Sequence, residues 1–171
     1  MNSADSFSAT YAEARAKFRA TAQEAGGALD SVANPNRAPD GGDLSTDIAW
    51  FGSRDAEKVL VMVSGTHGAE GFCGSGAQVD WLRRGEHTTL PADIGVLMIH
   101  AINPYGFAWL RRVTEENIDL RFVKDAVLDR ISKLNLEPLN EAIAETAAVL
   151  KANARDSVIS FGPALPRRNA E

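Results

Sequence analysis

The sequence predicts an α/β fold, a mixed and largely parallel sheet flanked by helices. Three observations predict it. The run Val59-Leu60-Val61-Met62-Val63 is apolar without a break and rich in β-branched residues, as in a strand covered on both faces. The run Ile94-Gly95-Val96-Leu97-Met98-Ile99-His100 reads the same way. Between them, Ala77 to Arg84 places Val79 and Leu82 on one helical face and two arginines in its last turn. Together these make a β-α-β crossover, expected to be parallel and right-handed.

The 171 residues amount to about one domain, divided into an α/β part over 1–122 and a helical part over 123–171. A hydrophobic content of 44% with 24% charged residues is that of a soluble globular protein with a real core. The net charge of −5 and pI near 5.2 argue against nucleic acid or an anionic membrane surface as a partner. A single cysteine excludes an internal disulfide, so a cytoplasmic location is expected. No secretory signal or membrane span is visible in the sequence.

The elements follow in order. Tyr11, Ala14, Phe18 and Ala22 recur at helical spacing, so a packing helix is expected over Asp5 to Ala25, ended by Gly26-Gly27. Leu29 to Ala33 reads as a short strand and Asn34 to Gly42 as a Pro/Gly loop. Thr46 to Phe51 alternates as a second strand, and Gly52 to Asp55 turns the chain into the apolar run. After the crossover, the last third reads as helices over Lys124 to Lys133 and Leu139 to Ala154, the second opened by Pro138.

Chemistry concentrates in the stretch between the two apolar runs, read as a tight turn through Gly65, Gly68 and Gly71. A phosphate loop is excluded because no Lys occurs between Lys58 and Lys124. A dinucleotide fingerprint fails at Val79, and neither Ser64 nor Ser75 has the flanking glycines of a nucleophile elbow. What remains is His67-x-x-Glu70. Imidazole plus carboxylate is a normal partial ligand set for catalytic zinc, although a two-residue pattern also arises by chance. The second apolar run delivers His100 and Asn103 to the same edge of the sheet.

Three segments then carry a resemblance: S-G-T-H-G-A-E-G-F-C-G-S-G, H-A-I-N-P-Y-G-F-A-W-L-R-R and E-N-I-D-L. In this order they resemble the zinc metallocarboxypeptidases of the carboxypeptidase A type, nearest to a bacterial branch of domain-of-unknown-function proteins, over about residues 11–122. The resemblance implies the first half of a zinc carboxypeptidase fold and hydrolysis of peptide or related amide bonds. It implies zinc as cofactor, with His67 and Glu70 as the first two metal ligands. Asn103 would belong to the turn that shapes the substrate site. Arg112, with Arg111 as the alternative, would polarise the scissile carbonyl, work that suits a permanently charged planar guanidinium. Arg121 would grip a substrate carboxylate, although the family's Asn-Arg-Asn-Phe reads Arg121-Phe122-Val123 here.

The family's third ligand has no match, since no His follows His100, and Glu137, Glu141 and Glu145 lie in helical sequence without a motif around them. The expectation is therefore a shortened and impaired hydrolase acting on a small peptide or carboxylate-bearing substrate. The alternatives are a non-catalytic metal- or carboxylate-binding remnant and a hydrolase built on a Cys73–His100 pair. His100 itself reads as a ligand or as a hydrogen-bonded structural histidine, His87 as solvated, and Trp81 and Trp109 as packing residues, Trp109 near the substrate. The strand ending at His100 is expected beside an uncovered sheet edge, either covered by the Leu139–Ala154 helix or open to self-association.

Overall fold

Thr10 decides where the first helix begins. Its Oγ1 accepts from the Glu13 N–H at 3.2 Å while Glu13 Oε2 accepts from the Ala9 N–H at 2.9 Å, a variant of the capping box shifted one residue back. Helix α1 therefore spans Tyr11–Glu24 rather than starting at Asp5. The residues before it form a 3-10 turn, Ser3–Ser6, whose serine hydroxyls donate to Asp80. The structure, a computed structural model, describes residues 2–120. Arg121, the glutamates beyond it and the helices expected over 124–133 and 139–154 lie outside the described residues.

Four strands follow: β1 (Ala28–Arg37), β2 (Asp43–Phe51), β3 (Lys58–Val63) and β4 (Ile94–His100), with α2 (Gly68–Arg83) between β3 and β4 and α3 (Pro104–Ala108) after β4. β1 is longer than expected because the stretch assigned to a loop stays in the ladder, with a register break between Asn34 and Arg37. Pro35 sits in that break, where a residue with no N–H is tolerated. The sheet order is β1-β2-β4-β3. β1–β2 and β2–β4 are antiparallel, and β3–β4 is parallel with Val61 opposite Leu97. The sheet is mixed, as expected, but among the described pairings only β3–β4 is parallel, because β1 and β2 join it as antiparallel neighbours; the β-α-β unit is where the sequence placed it.

β4 is interior, so the strand ending at His100 is not the one beside the edge. Among the described strands β1 and β3 hold the two edges, and β3, the neighbour of β4, is only half-buried, with Leu60 40% exposed. Two apolar layers sandwich the interior strands. Ala49, Phe51, Val96 and Met98 pack with Phe18 and Ala22 of α1 and Val79 and Leu82 of α2. Their alternating neighbours Ile48, Trp50, Leu97 and Ile99 pack on the other face with Ile102 and Leu120. α1 is also tied to β2 by charge: the fully buried Asp47 accepts from Arg15 at 2.7 Å and Arg19 at 2.6 Å. No described helix is long and apolar enough to cross a membrane.

The glycine-rich stretch is the main departure from expectation. It is not an extended turn followed by a helix at Ala77; α2 already begins at Gly68. Only Gly65 has the left-handed backbone that a turn requires, at φ +67. The others serve contact. A Cβ on Gly68 would stand 2.4 Å from the Gly106 carbonyl oxygen and 2.5 Å from Arg111 N, and one on Gly71 would stand 2.8 Å from the Phe107 ring. α2 thus lies against the backbone of residues 106–111, closer than any side chain permits.

Gly68→Ala should therefore destabilise the fold by about 1–3 kcal/mol in urea unfolding, despite alanine's better helix propensity. Gly76→Ala, whose clash is with the ring of Phe7 on the N-terminal arm at 2.5 Å, should cost less because that ring can move. Equal costs would show that backbone proximity at Gly68 does not matter.

Candidate metal and arginine site at the ends of β3 and β4

β3 ends at Val63, Gly65 turns the chain, and His67 becomes the N-cap of α2 with Glu70 in its first turn. A spacing of three on a helix start puts both side chains on one side. His67 Nδ1 stands 3.6 Å from Glu70 Oε1. The other ring nitrogen, Nε2, lies 3.0 Å from Asp119 Oδ1. The second oxygen of Asp119 accepts from Arg112 Nε at 3.0 Å, and Arg112 Nη1 returns to Glu70 Oε1 at 3.9 Å. His67, Asp119, Arg112 and Glu70 therefore form a closed ring of alternating partners.

Each member is aimed by its surroundings. His67 is 7% exposed, held by the turn behind it. Asn103 is fully buried and both ends of its amide are engaged: Oδ1 accepts from Gly106 N–H at 2.9 Å and Nδ2 donates to the Thr66 carbonyl at 3.2 Å. It caps α3 and fixes the residue before His67. Arg111 O accepts from Gly68 N–H at 2.9 Å, so α2 and the arginine segment share a bond. Arg111's own guanidinium turns away to Asn117 Oδ1 at 2.5 Å and lies over the Tyr105 ring. Arg112 is the arginine that faces the acids. Asp119 follows a turn closed by the Thr114 N–H to Ile118 carbonyl bond at 2.9 Å, and the next residue, Leu120, is buried in the core.

Asp119 was not singled out from sequence. It lies inside the E-N-I-D-L segment, and an acid in a segment that accompanies a His/Glu pair is the available signal. Burial pulls its pKa upward, but the hydrogen bonds from His67 and Arg112 outweigh this, leaving the carboxyl below its ordinary value. An ionised Asp119 accepts a hydrogen bond from Nε2–H of His67, and that tautomer leaves the Nδ1 lone pair facing Glu70. Two ligands bonded at about 2.1 Å to one tetrahedral zinc stand about 3.4 Å apart. The 3.6 Å between Nδ1 and Oε1 fits that requirement. No group of three or more His, Cys, Asp or Glu among the described residues is placed to hold a metal ion, so the pair supplies two ligands there and no third.

His100 does not join them. It is fully buried, its Nε2 is 2.9 Å from Ser75 Oγ, and its ring stacks on Phe18 at 4.6 Å. Nδ1 has no hydrogen-bond partner among the described residues, which also removes the Cys73–His100 pair, since Cys73 is exposed on α2. His87 is half-buried between the Phe51 and Trp81 rings rather than solvated. Trp81 packs against the α1–α2 side of the core as expected, whereas Trp109 is 43% exposed, its Nε1 donating to the Arg37 carbonyl.

The fold and this ring define an α/β protein with a His/Glu pair and an arginine at the carboxyl ends of neighbouring parallel strands. Residues 7–152 match the family described as "Protein of unknown function (DUF2817)", and the chain belongs to that family. No curated protein matches it. Among solved structures it is similar to a glutaminyl cyclase from Tannerella forsythia (TM-score 0.41, 14% identity, covering 62% of this chain and 44% of that one). It is similar likewise to a Zn-dependent exopeptidase from Parabacteroides distasonis (TM-score 0.40, 15% identity, 71% and 55%). A glutaminyl cyclase from Porphyromonas gingivalis aligns with TM-score 0.38 and 16% identity over 60% of this chain and 48% of that one. The chain spans about half the length of these structures.

Burial lowers the pKa of His100 from 6.5 to about 4, with Asp47 pulling it back up and Arg15 adding to the fall. The fold thus favours the neutral ring. Its contribution is fully present above the unfolded value of 6.5 and is lost as pH falls toward about 4. Urea unfolding should show up to about 3 kcal/mol lost across that window. His100→Gln should remove most of this slope; an unchanged slope would place the titrating group elsewhere.

Proposed function

We propose that the protein is a zinc-dependent hydrolase of the carboxypeptidase type, acting on peptide or related amide bonds, and that His67 Nδ1 and Glu70 hold the metal. The observation that supports this reading most is the Asp119–His67–Glu70 line, a carboxylate behind a histidine whose free nitrogen faces a second carboxylate. The three sequence segments that resemble zinc carboxypeptidases support it independently. When bound, zinc supplies a Lewis acid that polarises a carbonyl and lowers the pKa of water. Asp119 holds the imidazole in one tautomer and orientation. Arg112, 48% exposed on its side chain, presents its remaining N–H groups toward solvent beside Glu70, where a carbonyl oxygen gaining charge could be met. Arg121 is proposed from the resemblance alone as the partner of a substrate carboxylate. The third ligand and the general base are not assigned.

Zinc titration by calorimetry should show binding that His67→Ala and Glu70→Ala each weaken severely. Asp119→Ala should weaken it about 10–100-fold, the usual effect of removing the group that orients a ligand. Undiminished zinc binding in both His67→Ala and Glu70→Ala would remove this site. With zinc added and blocked peptides as substrates, Arg112→Ala should lower kcat about 10²–10³-fold while leaving zinc affinity near wild type. Arg111→Ala should lower kcat far less, acting only through the turn that leads to Asp119. Zinc binding without turnover of any peptide or ester would favour the binding-only remnant instead.

A further inference from the structure

The two faces of the sheet are not covered by the same means. On one face, α1 and α2 pack over the strands through Phe18, Ala22, Val79 and Leu82. On the other, Trp50 of β2 is 3% exposed, Leu97 of β4 is 2% exposed, and their neighbours Ile48 and Ile99 are 0% exposed. Yet no residue of a described helix belongs to that cluster. The described partners there are Ile102, Leu120 and the valines of β1 and β3 beside them. Side chains on one face of a sheet stand side by side, roughly perpendicular to it, and cannot close over one another's ends. A tryptophan so nearly buried in such a row has a layer above it. The burial is complete within a single chain, so that layer belongs to the same chain, among residues 121–171.

The pattern of exposure gives the layer's width. Val32 of β1 and Val59, Val61 and Val63 of β3, which flank the two interior strands, are only partly buried. Two neighbouring strands occupy about 10 Å, and a helix with its side chains is about 10–12 Å across. One helix lying along β2 and β4 accounts for the gradient. Leu120 belongs to the same cluster, so the chain leaves the described residues on this face. In the sequence beyond it, the stretch 139–154 carries an apolar stripe of Leu139, Ile143, Ala147 and Leu150, with Glu141 on the opposite side. As a helix it is about 24 Å long, the length of β4 at about 23 Å, whereas 124–133 would reach only about 15 Å. The family match runs to residue 152 and takes in the whole stripe. We propose that residues 139–154 form the helix that covers this face, with the Ile143 and Leu150 side chains seated on Ile48, Trp50, Leu97 and Ile99. The segment then lies over the interior strands rather than along the β3 edge.

The test is methyl NMR on the full chain, labelled at Ile, Leu and Val. Nuclear Overhauser contacts should join the methyls of Ile143 and Leu150 to those of Ile48, Leu97 and Ile99. Contacts to the same three residues from Val127, Leu128 or Ile131 in their place would overturn the proposal, and so would none from either stretch. A sample mixing labelled and unlabelled chains separates the remaining occupant: contacts that cross between chains would mean that a second copy covers the face, and the proposal fails. Thermal unfolding gives an independent reading. Ile143→Ala and Leu150→Ala should each lower Tm by about 5–15 °C, as expected for large-to-small changes in a core. Glu141→Ala, on the far side of the same stretch, should move it by no more than about 2 °C. Equal shifts in all three variants would overturn the proposal. The contacts are read on the wild type, so a variant that fails to fold leaves the outcome decided by them.

Discussion

The close approach of α2 to the backbone of residues 106–111 is the constraint on which the site depends. It exists because Gly68 and Gly71 offer no Cβ toward the Gly106 carbonyl and the Phe107 ring. Two helices of ordinary side chains keep their axes about 8–10 Å apart. Here one helix start rests on the other's main chain, and the Gly68 N–H donates to the Arg111 carbonyl. That single bond couples the segment bearing His67 and Glu70 to the segment bearing Arg112. Asn103 couples the same two segments from beneath through Thr66 and Gly106. The charged ring above them is therefore the upper surface of a packed, largely main-chain joint.

The ring has a division of labour that follows from burial. His67 and Asp119 are largely buried, on side chains 8% and 14% exposed, so their bond is little screened and holds orientation. Glu70 and Arg112 are open to solvent on theirs, at 64% and 48%, so their 3.9 Å contact is loose and readily exchanged for a ligand. The two arginines illustrate the same logic at the next level. Arg111 is spent on Asn117 and the Tyr105 face, which fixes the turn leading to Asp119, and Arg112 is left to face outward.

Much of the fold was legible because it rests on period and length. Val59–Val63 and Ile94–His100 are strands joined by a helix, and the pairing between them is parallel. The helix start was not legible, because glycine has two meanings that sequence does not separate. At Gly65 it permits a left-handed turn, while at Gly68 and Gly71 it makes room for another backbone, and only the second reading lets a helix run through the stretch. β1 was cut short for a similar reason: Pro35 marks a loop or a bulge equally well. At the site, the H-x-x-E spacing pointed to two members of the ring and the resemblance to Arg112. Asp119 was missed because its partner lies far along the chain, and no local pattern marks a residue whose role is to stand behind another. At His100 the sequence leaves a ligand and a hydrogen-bonded structural histidine both open, and the structural one holds, since the side chain faces the core and bonds Ser75.

The bond between His67 and Asp119 joins residues 52 apart in sequence, and it can form only after β3, α2, β4 and α3 have taken their places. Closing so long a segment is entropically unfavourable until the contacts within it exist. A site assembled from His67 and Glu70 alone would be local, available to a short peptide and indifferent to the state of the rest. Adding Asp119 makes it conditional on the whole crossover unit. Nascent chains that have emerged only as far as α2 hold His67 and Glu70 but nothing to orient the imidazole, so the ring's geometry is absent until the fold is complete.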